Sequence, residues 1–143
     1  MQTTRIEHAN ITVPDIDVAI RFLKIVAPDF VVRRDEKKSG SNPYRWAHIG
    51  NDEFYIALQE PHLMEAPTSG SIPYENSGVN HLALIVPDVD EIEKCLIQEG
   101  YKKSIDAPVE KFRKRIYYYD NEGFEWELIE YLSDKPEERH LYE

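Results

Sequence analysis

Two histidines open two copies of the same phrase in this 143-residue chain. Residues 8–17 read HANITVPDID and residues 81–90 read HLALIVPDVD, an offset of 81 − 8 = 73 at which His, Val, Pro and two Asp recur. A second pair of phrases closes each copy, IGNDEFYIALQE (49–60) and YDNEGFEWELIE (119–130), offset by 124 − 54 = 70. There Asn51, Phe54, Leu58 and Glu60 recur as Asn121, Phe124, Leu128 and Glu130. The imidazoles of His8 and His81 and the carboxylates of Glu125 and Glu127 are the groups with chemistry to offer. Brought together, they would line a ligand site with a few convergent polar groups.

The elements that must position them follow from the repeat. Two modules, 5–60 and 78–132, flank a Pro-, Gly- and Ser-rich connection at 61–77, and a polar tail at 133–143 is expected to fray or lie on the surface. Alternation predicts strands at 6–13 and 80–86, stopped by Pro14 and Pro87. Asp residues near 15–17 and 88–90 can cap the helices that follow. Ala19, Phe22, Leu23 and Val26 sit at helical spacing, as do Ile92, Cys95 and Leu96, so Cys95 is expected to be buried. Pro28 stops the first helix and Gly100 caps the second. Strands follow at 29–35, 44–49 and 53–60, and again at 101–105, 112–119 and 124–131. Each module therefore reads βαβββ.

Strand side chains alternate between faces. Ala9, Ile11, Val13, Ile56, Leu58, Leu84, Trp126 and Leu128 fall on a face suited to packing under the helices. The other face carries His8, Asn10, Thr12, Tyr55, Ala57, Gln59, His81, Glu125 and Glu127. A solvated sheet would show Lys, Glu and Thr there; this mixture suits a lined cavity.

Composition excludes other classes. Lys plus Arg number 17 against 27 Asp plus Glu, a net charge of −10 with His neutral. That balance argues against nucleic-acid or anionic-membrane partners. A single cysteine makes no internal disulfide, the first residues lack the apolar run of a signal peptide, and no stretch approaches the roughly 18 apolar residues of a membrane span. A soluble cytoplasmic protein is expected. Lys102, Lys103, Lys111, Arg113, Lys114 and Arg115 form a local basic segment. Arg115 shares strand parity with Tyr117 and could grip an anionic group. The competing reading is a solvated strand and loop, and the 70-residue offset makes Arg45 its repeat mate, which suggests a shared packing role.

Two βαβββ modules, each opening His–x–x–x–x–Val–Pro–Asp, with Gly123-x-x-x-Glu127 in the last strand, resemble the vicinal oxygen chelate superfamily. That superfamily includes glyoxalases, epimerases, extradiol dioxygenases, fosfomycin-resistance enzymes and bleomycin-binding proteins. The resemblance spans about residues 5–132 and implies a single glyoxalase-like domain over 1–143. The implied fold is α+β, its two βαβββ modules forming a curved mixed sheet around a cavity.

The resemblance also implies a divalent metal held by His8, His81 and Glu127. Two imidazoles and a carboxylate suit Fe, Mn, Ni, Co or Zn. The family's fourth ligand position falls on Ala57, where glyoxalase I and the epimerases usually place an acid or amide. A His, His, Glu set is closer to the fosfomycin-resistance and dioxygenase branches. The dioxygenase signature fits at Tyr117, Asp120, Gly123 and Glu127, with Asn121 in place of Pro. Its histidine is missing from the window holding Pro108, Val109 and Glu110, which argues against ring cleavage.

Tyr117 and Glu125 are the implied catalytic candidates, and Gln59, Arg115 and Asn10 the substrate-binding ones. His48, His62 and His140 match no ligand position. Relatives are often dimers, so a homodimer is expected. The implied function is a metal-dependent enzyme on a small oxygenated substrate, by lyase, isomerase, transferase or dioxygenase chemistry. The alternatives are a non-catalytic small-molecule binder of the same fold and a protein-interaction module with an acidic surface.

Overall fold

Val-Pro-Asp ends a strand and starts a helix in both copies. The computed structural model describes residues 4–41, 43–61, 72–75 and 77–141; His62 and most of the 61–77 connection lie outside them. The Asp15 carboxylate accepts from the Val18 amide at 3.0 Å, and Asp88 accepts from Glu91 at the same distance. Each carboxylate satisfies one of the amides that a helix start leaves without a partner.

The chain divides into two compact units, Met1–Ser69 and Gly70–Glu143. The first runs β1 (His8–Thr12), α1 (Ile16–Val26), β2 (Val31–Lys38), β3 (Tyr44–Gly50), β4 (Tyr55–Gln59). Its sheet has the order β1-β4-β3-β2, with β1 parallel to β4 and the other neighbours antiparallel. Helix α1 stops at Val26 because Ala27, its C-cap, precedes Pro28 and leaves the helical region. Ile16, Phe22, Leu23 and Val26 of α1 are buried, as are Ile49, Ile56 and Leu58 of the sheet.

The second unit runs β5 (His81–Ile85), α2 (Val89–Gln98), β6 (Arg113–Tyr119), β7 (Glu125–Tyr131), α3 (Pro136–Arg139). Its sheet has the order β5-β7-β6, with β5 parallel and β6 antiparallel to β7. Gly100, at φ 78°, ends α2: its amide donates to Ile97 and the Tyr101 amide to Leu96, at 3.1 and 2.9 Å. Both units are α+β with mixed sheets. Among the described residues no helix is long and apolar enough to cross a membrane.

Three expectations change. The strand expected at 101–105 contracts to one bridge, Lys103 to Tyr118, flanked by bonds from Ser104 and to Lys102. The tail, expected to fray or lie on the surface, does not fray at Pro136–Arg139: it forms there the one-turn surface helix α3, tied back by Arg139 Nε donating to the Ser133 carbonyl at 2.7 Å. Cys95 is exposed, not buried: α2 packs on the narrower stripe Val89, Ile92 and Leu96, which leaves Cys95 outside it.

The repeat also carries a register slip. Gly50 pairs with Tyr55 across the β3–β4 turn, and Tyr119 with Glu125 across the β6–β7 turn. The first turn holds residues 51–54 and the second 120–124, one residue more. The extra residue is Gly123, whose φ of 83° only glycine adopts without strain. Asn51 and Asp120 are thus the true equivalents, and both cap their turn. Asn51 Oδ1 accepts from Glu53 and Phe54 at 3.1 Å, and Asp120 Oδ1 accepts from Glu122 and Phe124 at 2.9 and 3.0 Å. Upstream of the turn the offset is therefore 69. A slip of one residue swaps sheet faces. The mate of Arg115 is Trp46, not Arg45, since Arg115 faces Ile129 and Trp46 faces Gln59. Arg45 instead bridges Asp35 of β2 and Asp17 of α1.

Asp120 is buried and also accepts from Trp126 Nε1 at 3.1 Å, so it ties the turn to the core strand β7. Asp120→Ala should cost about 3 kcal/mol, the scale of lost bonds to a buried charged acceptor. Asp120→Asn, which keeps an acceptor for the turn amides, should cost less. Urea melts of the two variants against the parent check the order.

Candidate functional site

Alternation along β7 buries Trp126 and Leu128 toward the core and turns Glu125 and Glu127 to the other face, where both carboxylates are nonetheless buried. The registers of β5 and β6 place donors beside them: His81 is level with Glu125, and Tyr117 with Glu127.

Glu127 divides its oxygens. Oε1 accepts from the Tyr117 hydroxyl at 2.7 Å and from Arg115 Nη1 at 3.5 Å. Oε2 lies 3.1 Å from His81 Nε2. Glu125 accepts from the Tyr74 hydroxyl on one oxygen and from the Ser104 hydroxyl on the other. The Tyr74 hydroxyl is also 3.1 Å from His81 Nδ1.

Burial, then the bond to Glu127, pushes the Tyr117 hydroxyl up to about 12. The bond to Glu125, then burial, does the same for Tyr74, to about 12. Both phenols therefore keep their proton at neutral pH and act as donors.

Arg115 is engaged on every side that the structure records. Its Nε donates to Glu110 at 2.7 Å, and its Nη1 donates to Tyr117 at 3.1 Å as well as to Glu127. Glu110 also accepts from Arg113 at 2.5 and 2.8 Å. The result is a row of alternating charges, Arg113, Glu110, Arg115, Glu127. Arg113's bond holds the Glu110 carboxyl below the ordinary carboxylate range; burial opposes it, and Arg115 adds to it.

The first unit presents a different face. His8 stacks on Tyr55 at 4.8 Å between ring centres, Tyr55 meets His48 at 4.7 Å, and His48 meets Trp46 at 4.8 Å. Arg33 lies over Tyr55 and Arg34 over Trp46, at 4.8 and 5.7 Å. His8 Nδ1 is bonded to the Glu7 carboxylate. Burial, then the neighbouring His8 and Arg33, lowers the His48 imidazole. Asn10 is exposed and pairs with Ala57; Gln59 is half-buried and pairs with Thr12 and Trp46.

Of the residues singled out in the sequence, the second unit brings together His81, Glu125, Glu127, Tyr117 and Arg115. His8, Asn10 and Gln59 share the sheet face of the first unit. His48, which matches no family ligand position, is the register mate of Tyr117, because both pair with the central-strand position that is Ala57 or Glu127. Tyr74, Ser104 and Glu110 were missed. Tyr74 lies in the Pro- and Ser-rich connection and Ser104 on a segment without alternation, so neither had a periodicity to mark it. Glu110 falls in the window where the dioxygenase signature carries its histidine.

The donor chemistry fits a cation. Among the described residues no group of three or more His, Cys, Asp and Glu side chains is gathered as a metal cluster. The pair His81 Nε2 and Glu127 Oε2, 3.1 Å apart, nevertheless has the spacing of two neighbouring ligands of an octahedral ion, for which bonds of about 2.1 Å at right angles put donor atoms about 3.0 Å apart. Their outward atoms, Nδ1 and Oε1, are already held by Tyr74 and by Tyr117, as the outer partners of metal ligands usually hold them.

No protein-family model matches the sequence, and neither does any curated protein. Solved structures match over nearly the whole chain. A glyoxalase family protein from Bacillus cereus is 19% identical, with 93% of this chain and 97% of that one covered, at a TM-score of 0.74. The fosfomycin resistance protein FosX from Listeria monocytogenes, complexed with Mn(II) and sulfate, is 16% identical over 96% and 98%, at 0.65. A glyoxylase/bleomycin resistance protein/dioxygenase domain from Frankia sp. EAN1pec is 16% identical over 98% and 100%, at 0.65.

The chain has the vicinal oxygen chelate fold. At these identities the likeness is one of fold. Within that fold, the second unit of this chain supplies a buried carboxylate pair braced by two phenols and an arginine, and the first supplies an aromatic strip.

The Glu110 bridge gives a pH test. Its folded pKa is depressed, so its contribution is present above the unfolded value, near 4.3, and is lost as pH falls through the folded value. Glu110→Gln should destabilise the chain by about 2 kcal/mol at pH 7. It should also flatten the fall in melting temperature below about pH 5. Thermal melts across pH 3–7, roughly the window in which carboxylates titrate, check both.

Proposed function

We propose that the chain is a divalent-metal-dependent enzyme acting on a small oxygenated substrate, with His8, His81 and Glu127 as the metal ligands. The observation that carries the reading is the approach of His81 Nε2 to Glu127 Oε2 at 3.1 Å, with the far side of each group already bonded. His8 enters through the repeat, as the counterpart of His81. The Mn(II) in the structure of the Listeria relative supports the kind of ion. An N₂O donor set suits Mn, Fe, Co, Ni or Zn. When bound, the metal supplies Lewis-acid polarisation of substrate oxygens.

The chain's own groups do the rest. Tyr117, kept protonated, orients Glu127 and is one catalytic candidate. Glu125 is the other, the buried carboxylate not assigned to the metal. Asn10 and Gln59 are proposed to contact substrate. Arg115, held by Glu110, Tyr117 and Glu127, is better read as their brace than as a substrate grip. A homodimer belongs to the proposal, and light scattering in solution tests it.

One observation favours a second reading, a small-molecule binder without chemistry. The first unit offers Ala57 where a fourth ligand or a base would stand, and an aromatic strip suited to stacking beside it. Metal content separates the two. Chain purified without chelators or a His-tag should carry close to one equivalent by mass spectrometry. Added Mn(II) at about a hundred times its Kd should stabilise it by about 2.7 kcal/mol. Glu127→Ala should abolish that gain. Less than about 0.1 equivalent, with no stabilisation by Mn, Fe, Co, Ni or Zn, would leave the binder reading in its place.

A further inference from the structure

Arg33 and Arg34 are neighbours on β2, and neighbours on a strand ordinarily point to opposite faces. Here both lie over rings of one sheet face, Arg33 over Tyr55 and Arg34 over Trp46. The cause is a bulge. The β2–β3 register shifts between Val32 and Arg34, and Arg33 has no partner across the pair. A bulge interrupts the ladder and re-aims a side chain, and this one sits on the edge strand of its sheet.

The two guanidinium groups are not equivalent. Arg34 Nε donates to Glu36 Oε1 at 2.6 Å, so its charge is met. Arg45, the third arginine of β2 and β3, is met by Asp17 and Asp35. Arg33 is exposed and makes no ion pair among the described residues. Its Nη2 donates to the main-chain carbonyls of Asn51 and Phe54, the latter at 3.3 Å, and both acceptors are neutral. The carbonyls fix the group over Tyr55 and leave its charge without a counter-ion, with the Nε and Nη1 hydrogens still to donate. The carboxylates recorded at the strip, Glu7 and Glu36, are taken by His8 and Arg34.

Beside Arg33 the face is ring surface. Tyr55, His48 and Trp46 are half-buried and follow one another at 4.7 and 4.8 Å between ring centres. Tyr55 already meets both Arg33 and His8, so the ring surface left for a ligand belongs to His48 and Trp46. The charge of the chain is divided in the same sense. Residues 1–69 hold eight Lys and Arg against ten Asp and Glu, a net of 8 − 10 = −2. Residues 70–143 hold nine against 17, a net of 9 − 17 = −8. An anion meets less repulsion at the first unit.

We propose that this face binds a small aromatic acid, with Arg33 holding its carboxylate and His48 and Trp46 taking its ring. A guanidinium already fixed in place loses little freedom when a carboxylate arrives, and a flat ring covers ring surface well. This names the substrate class for the face on which Asn10 and Gln59 are proposed to contact substrate, and in that respect it rests on the reading above; the contact between Arg33 and the acid requires no metal.

Benzoate is the probe, titrated into the full chain with and without added divalent zinc. The readout is the indole 1H–15N signal of Trp46, with that of the buried Trp126 as internal control. Binding at about 1 mM is expected for so small a ligand. Benzamide, the neutral isostere, and acetate, the acid without a ring, should each bind about tenfold more weakly or worse. Arg33→Gln should weaken benzoate about tenfold, and Arg34→Gln, which removes a guanidinium already paired, by less than about twofold. Arg33 also ties the turn at 51–54, so Arg33→Lys, with a melting temperature near the parent's, is the second variant; it keeps the charge without the fixed fork and should bind between the parent and Arg33→Gln. No shift of Trp46 at about 20 mM benzoate would overturn the proposal. Equal affinity for benzoate and benzamide, or equal losses in Arg33→Gln and Arg34→Gln, would overturn it too. Benzoate binding only when zinc is present would put the carboxylate on the metal and overturn the role of Arg33. Failure of the chain to bind metal would overturn the metal reading alone, with the metal-free titration still deciding this one.

Discussion

Two carboxylates buried two residues apart on one strand are the constraint on which the second unit depends. A buried carboxylate is costly unless donors or a cation meet it. Glu125 and Glu127 are 5% and 7% exposed, and partners reach them from several elements. The connection before β5 supplies Tyr74, the segment after α2 supplies Ser104, and β6 supplies Tyr117 and Arg115. Arg115 is steadied in turn by Glu110. One oxygen is left to His81, and that approach, 3.1 Å from Nε2, gives the site its chemical direction. His81 thereby meets both carboxylates, its Nδ1 lying 3.3 Å from Glu125 and its Nε2 beside Glu127.

The two units share one scaffold and differ in what they bury. Where the second has Glu125, Glu127 and Tyr117, the first has Tyr55, Ala57 and His48 at the matching register positions. With no buried carboxylate among its described residues to satisfy, the first needs no brace of phenols and guanidinium. Its rings stack on one another instead, with Arg33 and Arg34 lying over them. The chemistry of the proposed site is lopsided for this reason: the acidic groups come from one half of the repeat.

Local signals were legible wherever the chain itself carries the cause. Asp15 and Asp88 cap their helices, Pro28 stops the first and Gly100 ends the second, because each effect acts within one turn of its residue. Strand parity put His81, Glu125 and Glu127 on one face, since a period of two survives twist and curvature. What failed was non-local. A single inserted glycine, Gly123, shifts the repeat from 70 to 69 upstream of the turn, and the mate of Arg115 moves with it from Arg45 to Trp46 on the other face. The exposure of Cys95 depends on how wide a stripe α2 buries, which its spacing alone does not say. Tyr74 reaches its partners through a connection of irregular backbone, and no pattern in sequence marks such a reach.

The central claim is that the His81–Glu127 pair holds an ion rather than a proton. X-ray absorption on the Zn(II)-loaded chain tests it most directly. The account predicts an oxygen and nitrogen shell at about 2.0–2.1 Å with the outer-shell scattering of two imidazoles, reduced to one in His81→Ala. A shell without imidazole scattering, or one unchanged by His81→Ala, would contradict it.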